Sequence, residues 1–132
     1  MVIDGSGRVL VVDDDALIRD TLATALGDEG YAVRVASNGR AALLTLGSWR
    51  PDVIVLDLMM PVMDGHSFRA AQRATVETAH IPVIVLSATH EVQGRAAGLG
   101  AAAIFAKPFD LGDLLDAIAR LVTDSPRGAL PA

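Results

Sequence analysis

The chain contains no cysteine, which excludes a disulfide framework, a zinc–thiolate centre and a cysteine nucleophile. Aromatic residues are scarce at 4%, whereas alanine, valine and leucine supply much of an apolar fraction of 52%. That balance speaks against a β-sandwich and for helices laid on a buried parallel sheet. There is no dense Lys/Arg run and the net charge is −5. Phosphate neutralisation needs a basic face, so direct nucleic-acid binding by this chain is not expected. No apolar stretch approaches the about 20 residues that cross a bilayer, and the N-terminus, with Asp4 and no long apolar segment, does not read as a signal peptide. Membrane insertion is not expected, and a cytoplasmic location is. A length of 132 residues suits one domain with a continuous core.

What is present is an alternation of short apolar runs with segments of helical period, repeated five times. The expected strands are Arg8–Val12, Tyr31–Ala36, Val53–Leu56, Ile81–Leu86 and Ala103–Ala106. The first expected helix runs from near Asp15 to Leu26, with Leu17/Ile18, Thr21/Leu22 and Ala25/Leu26 on one face and Gly27 and Gly30 ending it. A second follows the candidate caps Ser37 and Asn38 to Leu46, and a third follows Gly65. A short fourth spans about Glu91–Leu99, and a fifth runs from Asp110 to about Val122. Residues 1–7 read as an N-terminal extension, 8–122 as the domain, and 123–132 as a flexible tail or linker stub.

Five β-then-α units with short connections imply right-handed crossovers and an α/β, doubly wound, flavodoxin-like parallel sheet of five strands in the order 2-1-3-4-5. The progression of strand order reverses between strands 1 and 3, so ligands are expected at the ends of those strands. There the sequence turns polar: Val9-Leu10-Val11-Val12 runs into Asp13-Asp14-Asp15, and Val53-Ile54-Val55-Leu56 runs into Asp57. Ser87 follows the fourth apolar run and Lys107 the fifth. All would share one sheet edge.

Crowded carboxylates repel unless a cation joins them, and no histidine or cysteine lies among them. An all-oxygen Mg²⁺ site from Asp13, Asp14 and Asp57 is the natural reading. Asp57 is then the candidate nucleophile toward phosphorus, Lys107 a point charge for phosphoryl oxygens, and Ser87 a hydroxyl donor. Asp15 is read as a helix cap instead of a further ligand. His66, His80 and His90 show no ligand spacing and are read as solvated or locally bonded, and Tyr31 and Trp49 as packing residues.

Val-Val-Asp-Asp at 11–14, Leu-Asp at 56–57, Met-Pro-x-Met-Asp-Gly at 60–65, Leu-Ser-Ala at 86–88 and Lys-Pro-Phe at 107–109 together closely resemble the receiver domain of bacterial response regulators. The resemblance spans about residues 8–122. It implies a phosphoacceptor switch of a two-component system or phosphorelay that catalyses only its own phosphorylation and dephosphorylation and is otherwise no enzyme. It also implies a phosphohistidine donor on a histidine kinase or histidine phosphotransfer protein, and the backbone carbonyl of Met59 in the metal shell. A cis Lys107–Pro108 bond is implied as well, as is a switching face built from the fourth helix, fifth strand and fifth helix that serves a downstream protein or output domain.

The chain departs from the family pattern in two places. Three residues before the lysine, where relatives commonly carry tyrosine or phenylalanine, this chain has Ile104, and Phe105 cannot substitute because neighbouring strand residues face opposite ways. Gly100-Ala101-Ala102-Ala103 lacks the acidic residue often seen in relatives that dimerise there, so a monomer or weak dimer is expected. Met59, two residues past Asp57, is expected to hinder an attacking water. Two rivals stand beside this reading. One is a pseudo-receiver acting as a phosphorylation-independent scaffold. The other is an aspartate-nucleophile phosphatase, which typically has a second acid where this chain has Met59.

Overall fold

The computed structural model describes residues 7–88 and 97–125. Five strands alternate with helices: β1 (Arg8–Val12), α1 (Ala16–Asp28), β2 (Ala32–Ala36), α2 (Gly39–Leu46), β3 (Val53–Asp57), α3 (Gly65–Ala74), β4 (Val83–Ser87), a 3-10 turn at Ala97–Leu99, β5 (Ala103–Ala106) and α4 (Leu111–Asp124). All pairings are parallel, in the order β2-β1-β3-β4-β5, as the alternating pattern predicts.

Every residue of β3 and β4 is buried, because helices cover both faces of the sheet. Alternate side chains therefore feed two cores. Leu10, Val12, Ile54, Leu56, Val83 and Val85 meet Ala42, Leu46 and Phe68 on one side. Val9, Val11, Val53, Val55, Ile84 and Leu86 meet Leu22, Leu26, Leu114 and Ile118 on the other. Four helices start on a side chain that accepts backbone N–H groups: Asp15, Asn38, Asp64 and Asp110.

The structure corrects several expected details. Helix α1 runs through Gly27 to Asp28, and beyond it Gly30, whose φ of +94° lets the chain turn left-handed, precedes Tyr31, whose N–H donates to Leu26 O. Leu17 is not on its buried face but 74% exposed; Ile18, Leu22 and Leu26 carry the packing. Strand β4 begins after Pro82, which has no N–H for the ladder. Most of the expected fourth helix, with Gly94, lies outside the described residues, as does His90 before it; its end, Ala97–Leu99, is a 3-10 turn. The last helix continues past Val122 to Asp124, and Ser125 beyond it is buried, its hydroxyl 2.5 Å from Oδ1 of Asp52. Among the described residues, no helix is long and apolar enough to cross a membrane.

On α3, Arg69 and Gln72 form a buried polar network. Arg69 donates to Gln72 Oε1 at 2.7 Å and to the carbonyls of Leu99 and Gly100, while Gln72 donates to those of Thr78 and Ile81. Arg73 adds a third bond to the 99–100 segment, at Leu99 O. Trp49 packs on the α2/α3 core and lies beneath Arg34, whose guanidinium carbon stands 5.1 Å from the ring centroid.

Candidate functional site

The sheet register brings the polar strand ends together. Val12 pairs with Leu56, Asp57 with Leu86 and Ser87 with Ala106, so Asp13, Asp57, Ser87 and Lys107 fall on one edge. Lys107 N–H donates to Ser87 O at 2.7 Å, and the Lys107–Pro108 bond is cis. Asp13 and Ser87 are fully buried, Asp57 is 2% exposed, and Asp14 is exposed to solvent.

Asp13, Asp14 and Asp57 each offer an oxygen within 4.8 Å of the other two. Lys107 reaches over them, its Nζ 3.0 Å from Asp13 Oδ2 and 3.4 Å from Asp57 Oδ1. Asp57 Oδ1 also accepts the Met59 N–H at 3.2 Å, and Asp13 Oδ1 accepts the Asp15 N–H at 2.9 Å. Burial, then the charge of Asp13, pushes the Asp57 carboxyl up to about 6, against the opposing pull of Lys107 and the Met59 amide. For Lys107, burial lowers the pKa, but the hydrogen bond and charge of Asp13, with those of Asp57, outweigh it and hold the ammonium above its ordinary range.

One lysine among three carboxylates leaves an excess of negative charge. The donors are all oxygen, two of the three residues are buried, and the Asp57 carboxyl resists ionising where it stands. This chemistry fits a hard dication such as Mg²⁺ and no soft metal.

Gly65 makes the turn after Asp57 possible. A Cβ there would lie 2.7 Å from Asp57 O and 2.7 Å from Leu58 Cα, so only glycine lets α3 begin so close to the strand end. Its N–H donates to Leu58 O at 3.0 Å. Between them Val62 has φ of +69°, with Met63 N–H bonded to Pro61 O at 2.7 Å: a γ-turn of the strained hand, held by a β-branched residue. Met63 O in turn accepts the Gly39 N–H at the start of α2.

Of the sequence candidates, Asp13, Asp14, Asp57, Ser87 and Lys107 converge. Met59 adjoins them through its backbone, while its side chain is 59% exposed. Asp15 caps α1. His80 is exposed, whereas His66 departs from expectation, since its Nε2 is buried with no hydrogen-bond partner among the described residues. Ile104 packs toward the α2/α3 core and Phe105 toward the opposite one. Val62, Gly39 and Arg19 were not singled out; Arg19 donates to Asp13 O, six residues back, a side-chain-to-backbone contact that no residue pattern signals.

The chain matches the response regulator receiver domain family over residues 9–119. It is 44% identical over 110 residues to the response regulator MprA of Mycolicibacterium vanbaalenii, covering 82% of this chain and 47% of that protein. To MprA of Mycobacterium tuberculosis it is 44% identical over 112 residues, covering 83% and 48%. It thus spans about half the length of these curated relatives. Among solved structures, the chemotaxis response regulator CheY4 of Vibrio cholerae is similar with TM-score 0.80 and 35% identity, over 87% of this chain and 98% of that one. The receiver domain of a histidine kinase from Syntrophus aciditrophicus aligns with TM-score 0.84 and 29% identity, over 96% and 98%. The family match runs from the first buried strand into the last helix and takes in every motif at the acidic edge, and the chain belongs to the response regulator receiver domain family of two-component systems.

Proposed function

We propose that this domain is a phosphoacceptor switch in which Asp57 receives a phosphoryl group from a phosphohistidine. The observation that carries the reading is the setting of Asp57: 2% exposed at a strand end, 3.4 Å from Lys107, with two further carboxylates within 4.8 Å. Asp13, Asp14 and Asp57, with the carbonyl of Met59, would hold Mg²⁺, which when bound neutralises charge on the carboxylates and on phosphoryl oxygens.

The carboxylate of Asp57 attacks phosphorus, the new O–P bond forms as the P–N bond breaks, and the imidazole leaves with the electron pair and takes a proton from solvent. Lys107 holds a positive charge beside the incoming oxygens, and the Ser87 hydroxyl donates to one of them. Burial of Asp57 keeps water from competing. On this reading the domain catalyses only its own phosphorylation and dephosphorylation and is not a turnover enzyme. Phosphorylation then shifts a two-state balance across the face made by the 97–100 segment, β5 and α4, toward a downstream protein or output domain. The kinase or phosphotransfer partner, a cytoplasmic location and a monomeric or weakly dimeric state belong to the same proposal.

The test is incubation with acetyl phosphate and Mg²⁺ followed by intact mass measurement. A gain of one phosphoryl group, absent in Asp57→Ala, is expected; no gain, or an equal gain in the variant, rejects the reading. A second reading, a phosphorylation-independent scaffold, is favoured by Ile104, which packs partly buried where relatives swing an aromatic ring. Beryllofluoride with Mg²⁺ separates the two, since amide shifts confined to the acidic edge would support the scaffold and shifts reaching β5 and α4 the switch.

A further inference from the structure

We infer that Arg19 is a positioning residue for the metal site: by holding the Asp13 carbonyl it sets the peptide plane that sends Asp13 and Asp14 to the same cation. This deepens the Mg²⁺ reading above and rests on it.

Arg19 is the one base of α1, and Asp14, Asp15 and Asp20 are its near neighbours in sequence. Yet both ion pairs among the described residues belong to Lys107. The Arg19 guanidinium instead reaches back six residues, Nη1 donating to the backbone oxygen of Asp13 at 2.8 Å. Holding a long side chain on a neutral carbonyl costs rotamer entropy. What it secures is geometric. The Asp13 oxygen and the Asp14 N–H belong to one rigid plane, so fixing the oxygen fixes the direction in which the chain enters Asp14.

That direction matters because adjacent side chains diverge. Asp13 is wholly buried and Asp14 exposed, yet both must bring an oxygen within 4.8 Å of Asp57. The other bonds of this loop act elsewhere. Asp13 N–H donates to Ala36 O at 3.1 Å, fixing the peptide before Asp13, and Asp15 N–H donates to Asp13 Oδ1, fixing its side chain. Among the described residues, no hydrogen bond orients the Asp14 carboxylate, which therefore depends on its backbone.

The sign of the effect separates position from charge. By charge alone, removing a cation beside the site would tighten Mg²⁺ binding. By position, its removal weakens binding, by about tenfold for a residue that orients a ligand without touching the metal. The 132-residue chain, unphosphorylated, is titrated with Mg²⁺ as native protein, Arg19→Met, Arg19→Lys and Asp14→Asn. Amide shifts of Asp14 and Asp15 and the rise in Tm with Mg²⁺ are the readouts, and melting in EDTA checks each fold.

Arg19→Met is expected to weaken Mg²⁺ binding about tenfold and to raise the Mg²⁺ concentration for half-maximal phosphorylation by the same factor. Arg19→Lys keeps the charge but not the planar fork, and is expected to show a smaller loss of the same sign. Unchanged or tighter Mg²⁺ binding in Arg19→Met overturns the inference. Should that variant fail to fold, unchanged affinity in Arg19→Lys does so. If Asp14→Asn binds Mg²⁺ as the native protein does, the metal site itself is misassigned, and both readings fall.

Discussion

The Nζ of Lys107 stands 3.0 Å from Oδ2 of Asp13, a carboxylate with no exposed surface. Without a metal, Lys107 is the counter-charge that lets that group stay buried. Lys107→Met removes it and leaves two buried carboxylates facing each other. In EDTA at neutral pH the variant should lose about 2 kcal/mol of stability, below the cost of breaking a fully buried pair because the lysine side chain keeps 21% of its exposure. Urea unfolding in EDTA and in Mg²⁺ checks this. If Mg²⁺ binds as proposed, the deficit should shrink in its presence, because the cation takes over the neutralisation.

The raised pKa of Asp57 has a stability consequence of definite sign. The folded state holds this proton up to about pH 6, while the ordinary value is 3.8. The folded state thus binds more protons between those limits, and stability falls as pH rises through them. Below about pH 4 the cost is absent, and above about pH 6 it is complete, with an upper bound of about 3 kcal/mol before solvent screening. Asp57→Asn should therefore be more stable than the native protein in EDTA at pH 7, and the two should converge near pH 4. Tm against pH for both proteins tests it. Equal Tm at pH 7 would count against the assigned electrostatics.

The strands and the acidic edge were legible because one physical fact writes both. A strand covered on two faces must be apolar throughout, so β1, β3 and β4 read as unbroken runs, and the polar residue that ends each run falls at the sheet edge. The parity rule likewise placed Ile104 and Phe105 on opposite cores. Contacts between distant residues were not legible. Ser125 meets Asp52 across 73 positions, and nothing local distinguishes that serine from a tail residue. Leu17 was misplaced because helical period alone admits two adjacent residues to a face, while the sheet beneath α1 has room for Ile18. The strain at Val62 is a property of φ that composition does not carry.

On the proposed reading of Asp57 as phosphoacceptor, Met59 bears on the lifetime of the phosphorylated state. Its amide is bonded to Asp57 Oδ1 at 3.2 Å, which fixes the start of the side chain beside the acceptor. The side chain is 59% exposed and so lies on the solvent side, the direction from which hydrolytic water must come. An apolar thioether there offers no hydrogen bond to orient that water, whereas an amide would. Phosphate loss in Mg²⁺ should be several-fold faster for Met59→Asn than for the native protein. Equal or slower loss in the variant removes Met59 from the account.

Val62 holds a left-handed backbone, φ +69°, that a β-branched side chain adopts only at a cost of about 1–3 kcal/mol. It is 76% exposed, so its side chain gains little burial in return. The turn persists because both ends are tied: Met63 N–H to Pro61 O, and Met63 O to the Gly39 N–H that opens α2. Val62→Gly removes the steric cost but adds about 1 kcal/mol of backbone entropy in the unfolded chain. A net gain of about 1 kcal/mol is expected, read as a higher urea midpoint with an unchanged slope. Val62→Ala retains a Cβ and should recover less of that gain. The comparison separates backbone strain from the loss of an exposed apolar side chain, which alanine would relieve as well as glycine.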